Sequence, residues 1–194
     1  MDKRAELLRI RARQNRNIAL AFVLILGSLA LAALWFLPGA TEQAAAQVDS
    51  IVPVTVSYPA PELALDNIDG QTQALTDFRD RVVLVNNWAT WCPPCKAEMP
   101  TLAAFYNDHA GEGFMLIAIE AGDTKEQVRA FALQHQMTFA VWLDPDGAAL
   151  GAFQNRALPN SYVIDRTGTV RLAWTGPISR DMLEKYVTPL LAGN

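Results

Sequence analysis

The chain contains two cysteines, and both lie in one short motif, Trp91-Cys92-Pro93-Pro94-Cys95. Two cysteines at this spacing can form a reversible disulfide, supply half of a metal site, or have no chemical role. The segment 82–87 is predicted to be a buried strand and 96–109 a helix. A Cys-x-x-Cys pair placed where a strand leads into a helix is typical of a thiol–disulfide redox centre. A structural zinc site would need two more ligands at short spacing, and both histidines lie far from the motif.

The predicted start of the helix makes the two cysteines chemically unequal. Pro93 and Pro94 fit the first turn, where backbone N–H groups have no intrahelical partner. Cys92 is then near the N-cap, where free N–H donors and the helix dipole favour the nucleophilic thiolate. Cys95 lies one turn into the helix, less exposed and close enough to close a disulfide. We predict that Cys92 attacks and Cys95 resolves, with the redox-active disulfide Cys92–Cys95 and no bound cofactor or metal.

The N-terminal part holds an uncharged apolar run of about twenty residues, long enough to span a bilayer of roughly 30 Å. Six basic and two acidic residues precede it, and no Lys or Arg follows before Arg79. The positive-inside rule therefore places the N-terminus in the cytoplasm. We predict a basic cytoplasmic tail at 1–17, a transmembrane anchor at 18–38, a linker at 39–57 and an extracytoplasmic domain at 58–194. A cleaved signal peptide, with a processing site near Ala44-Ala45-Ala46, is the alternative.

Charge and pattern restrict the class of the predicted domain. The sequence after the tail holds ten basic and eighteen acidic residues, a net charge of −8, which gives no support for nucleic-acid binding. Strands alternate with helices along the domain, which indicates an α/β fold. The predicted strands lie at 82–87, 114–119, 140–143, 161–164 and 170–174, after a strand pair within 63–75, and the predicted helices at 96–109, 124–134 and 179–191.

The motif and its flanks resemble a known family. Residues 85–100, VNNWATWCPPCKAEMP, are similar to the active-site segment of thioredoxin-like proteins of the TlpA/ResA/CcmG (DsbE) type, and the likeness covers about residues 58–192. Members are membrane-anchored bacterial thiol–disulfide oxidoreductases that face the extracytoplasmic space. The resemblance implies a thioredoxin fold, with a central mixed sheet flanked by helices. It implies reduction of disulfides in exported proteins, often apocytochromes c before haem attachment. It also implies a membrane thiol transporter of the DsbD/CcdA kind as electron donor, and a place in the inner membrane with the domain in the periplasm.

The resemblance also implies a substrate site. Pro159 corresponds to the cis-proline that lies beside the two sulfurs and presents backbone to the bound substrate, although X-Pro bonds are cis in only about 5% of cases. The residues expected to bind substrate are Trp91, Pro93, Pro94, Leu158 and Pro159.

Glu98 is the acid closest to the motif on the predicted helix, and some family members have a functional glutamate at this place. A carboxylate there would accept or relay the proton of Cys95, if partial burial raises its pKa. The alternative is a solvated residue paired with Lys96. Asn86 stands where thioredoxin has a buried aspartate, which leaves Glu98 as the stronger candidate for proton transfer.

Some residues depart from the family pattern. Asn87 replaces a core phenylalanine and would need hydrogen-bond partners if buried. Asn160 and Ser161 follow Pro159 where threonines or a glutamate are common, which affects substrate preference more than the reaction. Glu120 and Asp123 are expected to be loop acids, with a place at the rim of the cleft as the alternative.

Three functions fit these residues. The first is a disulfide reductase, in which Cys92 forms a mixed disulfide that Cys95 resolves. The second is the same chemistry run as a thiol oxidase or isomerase. The motif has no histidine between its cysteines to stabilise the thiolate, which favours reduction, and a potential well above roughly −180 mV would reverse that preference. The third is a module in which the two thiolates bind Cu(I).

Overall fold

Strand β4 (Val82–Trp88) is buried along its whole length because it has neighbours on both edges and on both faces. The computed structural model describes residues 52–193 of the chain. Within them, six strands form a sheet in the order β1-β8-β7-β4-β5-β6, in which β4, β5 and β6 are parallel and the remaining pairs antiparallel. The sheet is therefore mixed, and β4, which leads into the cysteine motif, lies inside it.

The elements follow the predicted alternation of strands and helices. The other strands of the large sheet are β1 (Val54–Pro59), β5 (Phe114–Glu120), β6 (Ala140–Leu143), β7 (Asn160–Ile164) and β8 (Thr169–Thr175). Strands β2 (Ala64–Asp66) and β3 (Thr72–Ala74) form a separate antiparallel pair, as predicted. The helices are α1 (Pro93–His109), α2 (Lys125–Gln134), α3 (Ala148–Ala152), α4 (Arg180–Tyr186) and α5 (Thr188–Leu191), and short 3-10 turns lie at Leu75–Phe78 and Ala110–Glu112.

Side chains alternate along β4 and β5 and so form two cores, one on each face of the sheet. We call the face covered by helix α1 the helix-side face; its core includes Leu84, Trp88 and Leu116 with both cysteines. The opposite, hairpin-side face is covered by residues around the β2–β3 pair and by α3, and its core includes Val85 and Ile119. A β-strand buried on both faces explains why β4 and β5 are apolar without interruption for most of their length.

Two predicted boundaries need correction. The domain begins with β1 at Val54, inside the segment predicted as linker 39–57, and β1 pairs with β8 at the edge of the sheet. Its side chains are mostly exposed, so they lack the apolar pattern of a core strand. The predicted helix 179–191 is two helices, because Pro189 has no N–H to donate to the carbonyl of Lys185.

The predicted tail 1–17, anchor 18–38 and most of the linker lie outside the described residues. Within residues 52–193, no helix has the length and apolar character needed to cross a membrane.

Candidate active site

The two cysteines lie at the start of helix α1 and are joined by a disulfide with an S–S distance of 2.05 Å. Cys92 is the N-cap, and its sulfur accepts a hydrogen bond from the backbone N–H of Cys95 at 3.3 Å. Pro93 and Pro94 occupy the first turn and are exposed. Cys92 is 4% exposed and Cys95 is fully buried, so only the first sulfur is open to a partner. The positive end of the helix dipole at Cys92 favours its thiolate over its thiol.

The predicted substrate residues lie on two segments, the cysteine motif and the chain that leads into β7. Trp91, next to Cys92, is 64% exposed, whereas Trp88 is buried and packs against Phe131. Trp88 is therefore a core residue. The Leu158–Pro159 bond is cis, as the resemblance implies. Strand β7 starts at Asn160 and runs antiparallel to β4, so Leu158 and Pro159 lie at the edge of the sheet where β4 leads into the motif.

Glu98 is 1% exposed, on the helix-side face. Its Oε1 accepts a hydrogen bond from Asn86 Nδ2 at 2.8 Å, and its Oε2 accepts one from the backbone N–H of Ile178 at 2.9 Å. Burial raises the pKa of Glu98 to about 7, and these two hydrogen bonds limit the rise. No salt bridge reaches this carboxyl from any residue in 52–193, so the alternative of an exposed acid paired with Lys96 is wrong.

The residues that hold Glu98 have roles that the sequence did not reveal. Asn86 Nδ2 also donates to Ser161 Oγ at 2.9 Å, which links β4, β7 and α1 through one amide group. A signal for Asn86 does exist, since period-two alternation places it on the same face as Trp88. The backbone N–H of Ile178 lies 80 residues away along the chain and has no local signal.

The opposite face of the same edge holds a second pair of buried amides. Asn87 and Asn160 are 1% and 0% exposed, and Asn87 Nδ2 donates to Asn160 Oδ1 at 2.7 Å. The partner that the sequence required for Asn87 is thus the residue that follows Pro159. Because Asn86 and Asn87 point to opposite faces, the two amide networks are separated by the sheet itself.

A third group of polar residues lies at the end of β5. Glu120 is fully buried beside Trp88, its register partner, and accepts a hydrogen bond from the N–H of Asp123 at 3.0 Å. Burial and the carboxyl of Asp123 raise the pKa of Glu120 to about 8. Asp123 accepts hydrogen bonds from the N–H and the hydroxyl of Thr90, at 3.3 and 2.5 Å. The expectation of a plain loop acid is wrong for Glu120. Asp123, through its hydrogen bonds with Thr90, holds the segment that precedes Cys92 in place.

In the part of the chain that the structure describes, no group of three or more His, Cys, Asp or Glu side chains is arranged to hold a metal ion.

A mixed sheet, with a Cys-x-x-Cys disulfide at a helix start and a cis-proline at the same edge, defines a thioredoxin-fold thiol–disulfide oxidoreductase. Residues 56–173 match the AhpC/TSA family, and the chain belongs to this family.

Named relatives agree with that class. The chain is 31% identical over 134 residues to the thiol–disulfide oxidoreductase ResA of Geobacillus thermodenitrificans, covering 69% of this chain and 77% of the relative. It is also 31% identical over 134 residues to ResA of Bacillus subtilis, covering 69% of this chain and 75% of that protein. The structure is similar to that of a thiol:disulfide interchange protein of the thioredoxin family from Chlorobium tepidum, with a TM-score of 0.64 and 25% identity over 71% of this chain and 99% of the other. The thioredoxin fold, the recognised family and the oxidoreductase function are thereby confirmed.

Proposed function

We propose that the chain works as a reductant of disulfides in exported proteins. The observation that carries this direction is the buried Glu98 carboxyl, one helical turn beyond the buried Cys95. A carboxylate without a cation disfavours a second negative charge nearby, so it opposes the thiolate of the reduced pair. Strong oxidants stabilise the reduced form instead. We expect a reduction potential below roughly −180 mV, and a value well above it would mean that the chain acts as an oxidant or isomerase.

The reduction proceeds by two thiol–disulfide exchanges. The Cys92 thiolate attacks one sulfur of the substrate disulfide, which forms a mixed disulfide and releases one substrate thiolate. The thiol of Cys95 gives its proton to Glu98 and attacks the Cys92 sulfur, which closes the protein disulfide and releases the second substrate thiolate. The proton passes from Glu98 to solvent or to the leaving thiolate. The substrate is reduced by two electrons, and the pair Cys92–Cys95 is oxidised.

The substrate polypeptide is placed across Trp91, the two prolines of the motif and the Leu158–Pro159 segment. Trp91 offers an exposed aromatic surface beside the attacking sulfur, and Leu158 packs against the core that contains both cysteines. Apocytochrome c is the proposed substrate and a membrane thiol transporter of the DsbD/CcdA kind the proposed electron donor. Both rest on the resemblance to the TlpA/ResA/CcmG type.

The substrate proposal is tested by trapping. The Cys95→Ala variant cannot resolve its mixed disulfide, so substrates should accumulate on Cys92 as adducts that a reductant releases. A Cys92→Ala control lacks the accessible nucleophile and should accumulate nothing. Mass spectrometry identifies the trapped proteins. Adducts that never include an apocytochrome would rule out the cytochrome-maturation role and leave the reductase function in place.

The location is proposed from the charge and hydropathy of residues 1–38: a single-pass anchor in the bacterial inner membrane, with the catalytic domain in the periplasm or extracytoplasmic space. Protease added to spheroplasts should degrade the domain, and alkaline carbonate should leave the chain with the membrane. Protection from protease would overturn the orientation. Release by carbonate would favour the cleaved signal peptide.

A further inference from the structure

The hairpin-side face carries two amides where an apolar core would be expected. Asn87 on β4 and Asn160 on β7 are register partners, and both are buried on a face whose neighbouring positions are Val85, Ile119 and Tyr162. Buried amides cost free energy unless hydrogen bonds compensate for lost water. This pair is compensated in part, because Asn87 Oδ1 has no hydrogen-bond partner among the described residues. Two apolar side chains of similar size would avoid that cost, so packing alone does not account for the amides.

The Asn160 amide connects this pair to the loop that carries the predicted substrate residues Leu158 and Pro159. Its Nδ2 donates to the carbonyl of Ala157 at 2.6 Å and to that of Asn155 at 3.4 Å. We call Asn155–Pro159 the 155–159 loop. One side chain therefore bonds two carbonyls of the loop that leads to Pro159. The hydrogen bond from Asn87 fixes which way the amide points, since it occupies the oxygen of Asn160 and directs the nitrogen to the loop.

The 155–159 loop is also tied at its two ends. Asn155 Nδ2 donates to Thr175 Oγ1 at 2.9 Å, and Pro159 O accepts a hydrogen bond from the N–H of Gly176 at 2.8 Å. The middle of the loop, by contrast, is held from inside by the Asn160 amide and by the bond from the N–H of Ala157 to Asn155 Oδ1. Loss of that amide frees the segment just before Leu158, which packs against the core that includes both cysteines.

We propose that Asn160 is a positioning residue for polypeptide substrates and that Asn87 orients it. The pair holds the 155–159 loop in the one arrangement in which its backbone can dock an extended chain beside Cys92. This inference rests on the proposed placement of substrate at Leu158–Pro159. A disulfide in a polypeptide needs backbone on which its chain can dock, and we call the backbone of Leu158–Pro159 the docking edge. A small disulfide needs only access to the sulfur of Cys92. The pair thus selects for disulfides carried on a peptide chain.

The test compares two probes on the reduced full-length chain in detergent. One probe is a ten-residue peptide closed by a single disulfide, and the other is the small aryl disulfide DTNB. Stopped-flow measurement gives the second-order rate constant for each. The variants are Asn160→Leu, Asn87→Leu and the double variant. Ile119→Val is the matched control: it is the register partner of Asn87 on the same buried face, and its apolar side chain makes no hydrogen bond to the 155–159 loop.

We expect Asn160→Leu to slow the peptide about tenfold more than it slows DTNB, through weaker binding of the peptide. Asn87→Leu should give a smaller ratio of about threefold, since it only frees the amide to rotate. The double variant should match Asn160→Leu, because the two residues act as one unit. The control should give a ratio near one. Equal slowing of both probes, or additive losses in the double variant, would overturn the proposal. If Asn160→Leu does not fold, Asn87→Leu decides alone.

The outcome for the wild-type chain separates this proposal from the proposed reductant function. A wild-type chain that oxidises the dithiol peptide, and does not reduce the disulfide peptide, would refute the reductant direction. The oxidised variants are then compared in the oxidising direction with the dithiol peptide and the small thiol TNB as probes, since both directions pass through the same mixed disulfide. The same ratios support the positioning role there, and their absence refutes it.

Discussion

At the end of strand β4 that leads into the cysteine motif, the two faces of the sheet hold different kinds of polar group. On the helix-side face Asn86 bonds a carboxyl, Glu98, whereas on the hairpin-side face Asn87 bonds another amide, Asn160. The first network can take up a proton and the second cannot. Asn86 and Asn87 thus have separate roles although they are adjacent, because successive side chains of a strand point to opposite faces of the sheet. We expect proton transfer to come from the helix-side face and the shape of the docking edge from the hairpin-side face.

The largest expected effect that would test this division is the dependence of stability on pH. Burial holds the pKa values of Glu98 and Glu120 at about 7 and about 8, above the ordinary value of 4.5. Between pH 4.5 and these values the folded chain holds more protons than the unfolded chain, so stability falls as pH rises. We expect the free energy of unfolding of the oxidised chain to be on the order of 3 kcal/mol lower at pH 8 than at pH 5 from Glu98 alone.

Urea unfolding followed by tryptophan fluorescence, at several pH values, measures this slope. Glu98→Gln should reduce it, and the remainder should disappear when Glu120→Gln is added. Asn87→Leu should leave the slope as it is, because the hairpin-side network does not titrate. A slope that Asn87→Leu changes as much as Glu98→Gln would contradict the division between the faces.

The second effect concerns the resolving step. Glu98→Gln keeps an acceptor for Asn86 but cannot accept the proton of Cys95, and positioned acid–base groups contribute at least about 100-fold. We expect the closing of the protein disulfide from the mixed disulfide to slow by about that factor. The rate of the wild-type chain should rise with pH through the Glu98 pKa near 7, and the variant should lose this inflection. Single-turnover kinetics from pH 5.5 to 8.5 would show it, and an unchanged profile would remove Glu98 from the mechanism.

The sequence predicted the parts of this site that depend on local order. The unequal cysteines follow from the helix start, and most strands follow from short apolar runs bounded by turn residues. Strand β1 was missed because its exposed edge position leaves no apolar pattern in Val54–Pro59. The burial of Glu98 could not be deduced, since it depends on Ile178, which only the folded sheet brings near. The partner of Asn87 depends likewise on the register between β4 and β7.

The smallest effect compares an apolar replacement on each face. Asn86→Leu leaves Glu98 Oε1 and Ser161 Oγ without their shared donor, and an unpaired buried acceptor costs about 1–3 kcal/mol, more when it is charged. The double variant Asn87→Leu, Asn160→Leu removes both partners of one bond and also the unpaired Asn87 Oδ1. The carbonyls of Asn155 and Ala157, in a partly exposed loop, can bind water instead.

We therefore expect the double variant to stay within about 1 kcal/mol of the wild-type free energy of unfolding, while Asn86→Leu loses about 2 kcal/mol at pH 7. Urea unfolding of the oxidised chains at pH 7 measures both. A double variant that keeps its stability yet loses peptide reduction shows that the hairpin-side amides serve the docking edge at little benefit to the fold. A double variant that loses as much stability as Asn86→Leu would make those amides structural, and the contrast between the two faces would then concern charge alone.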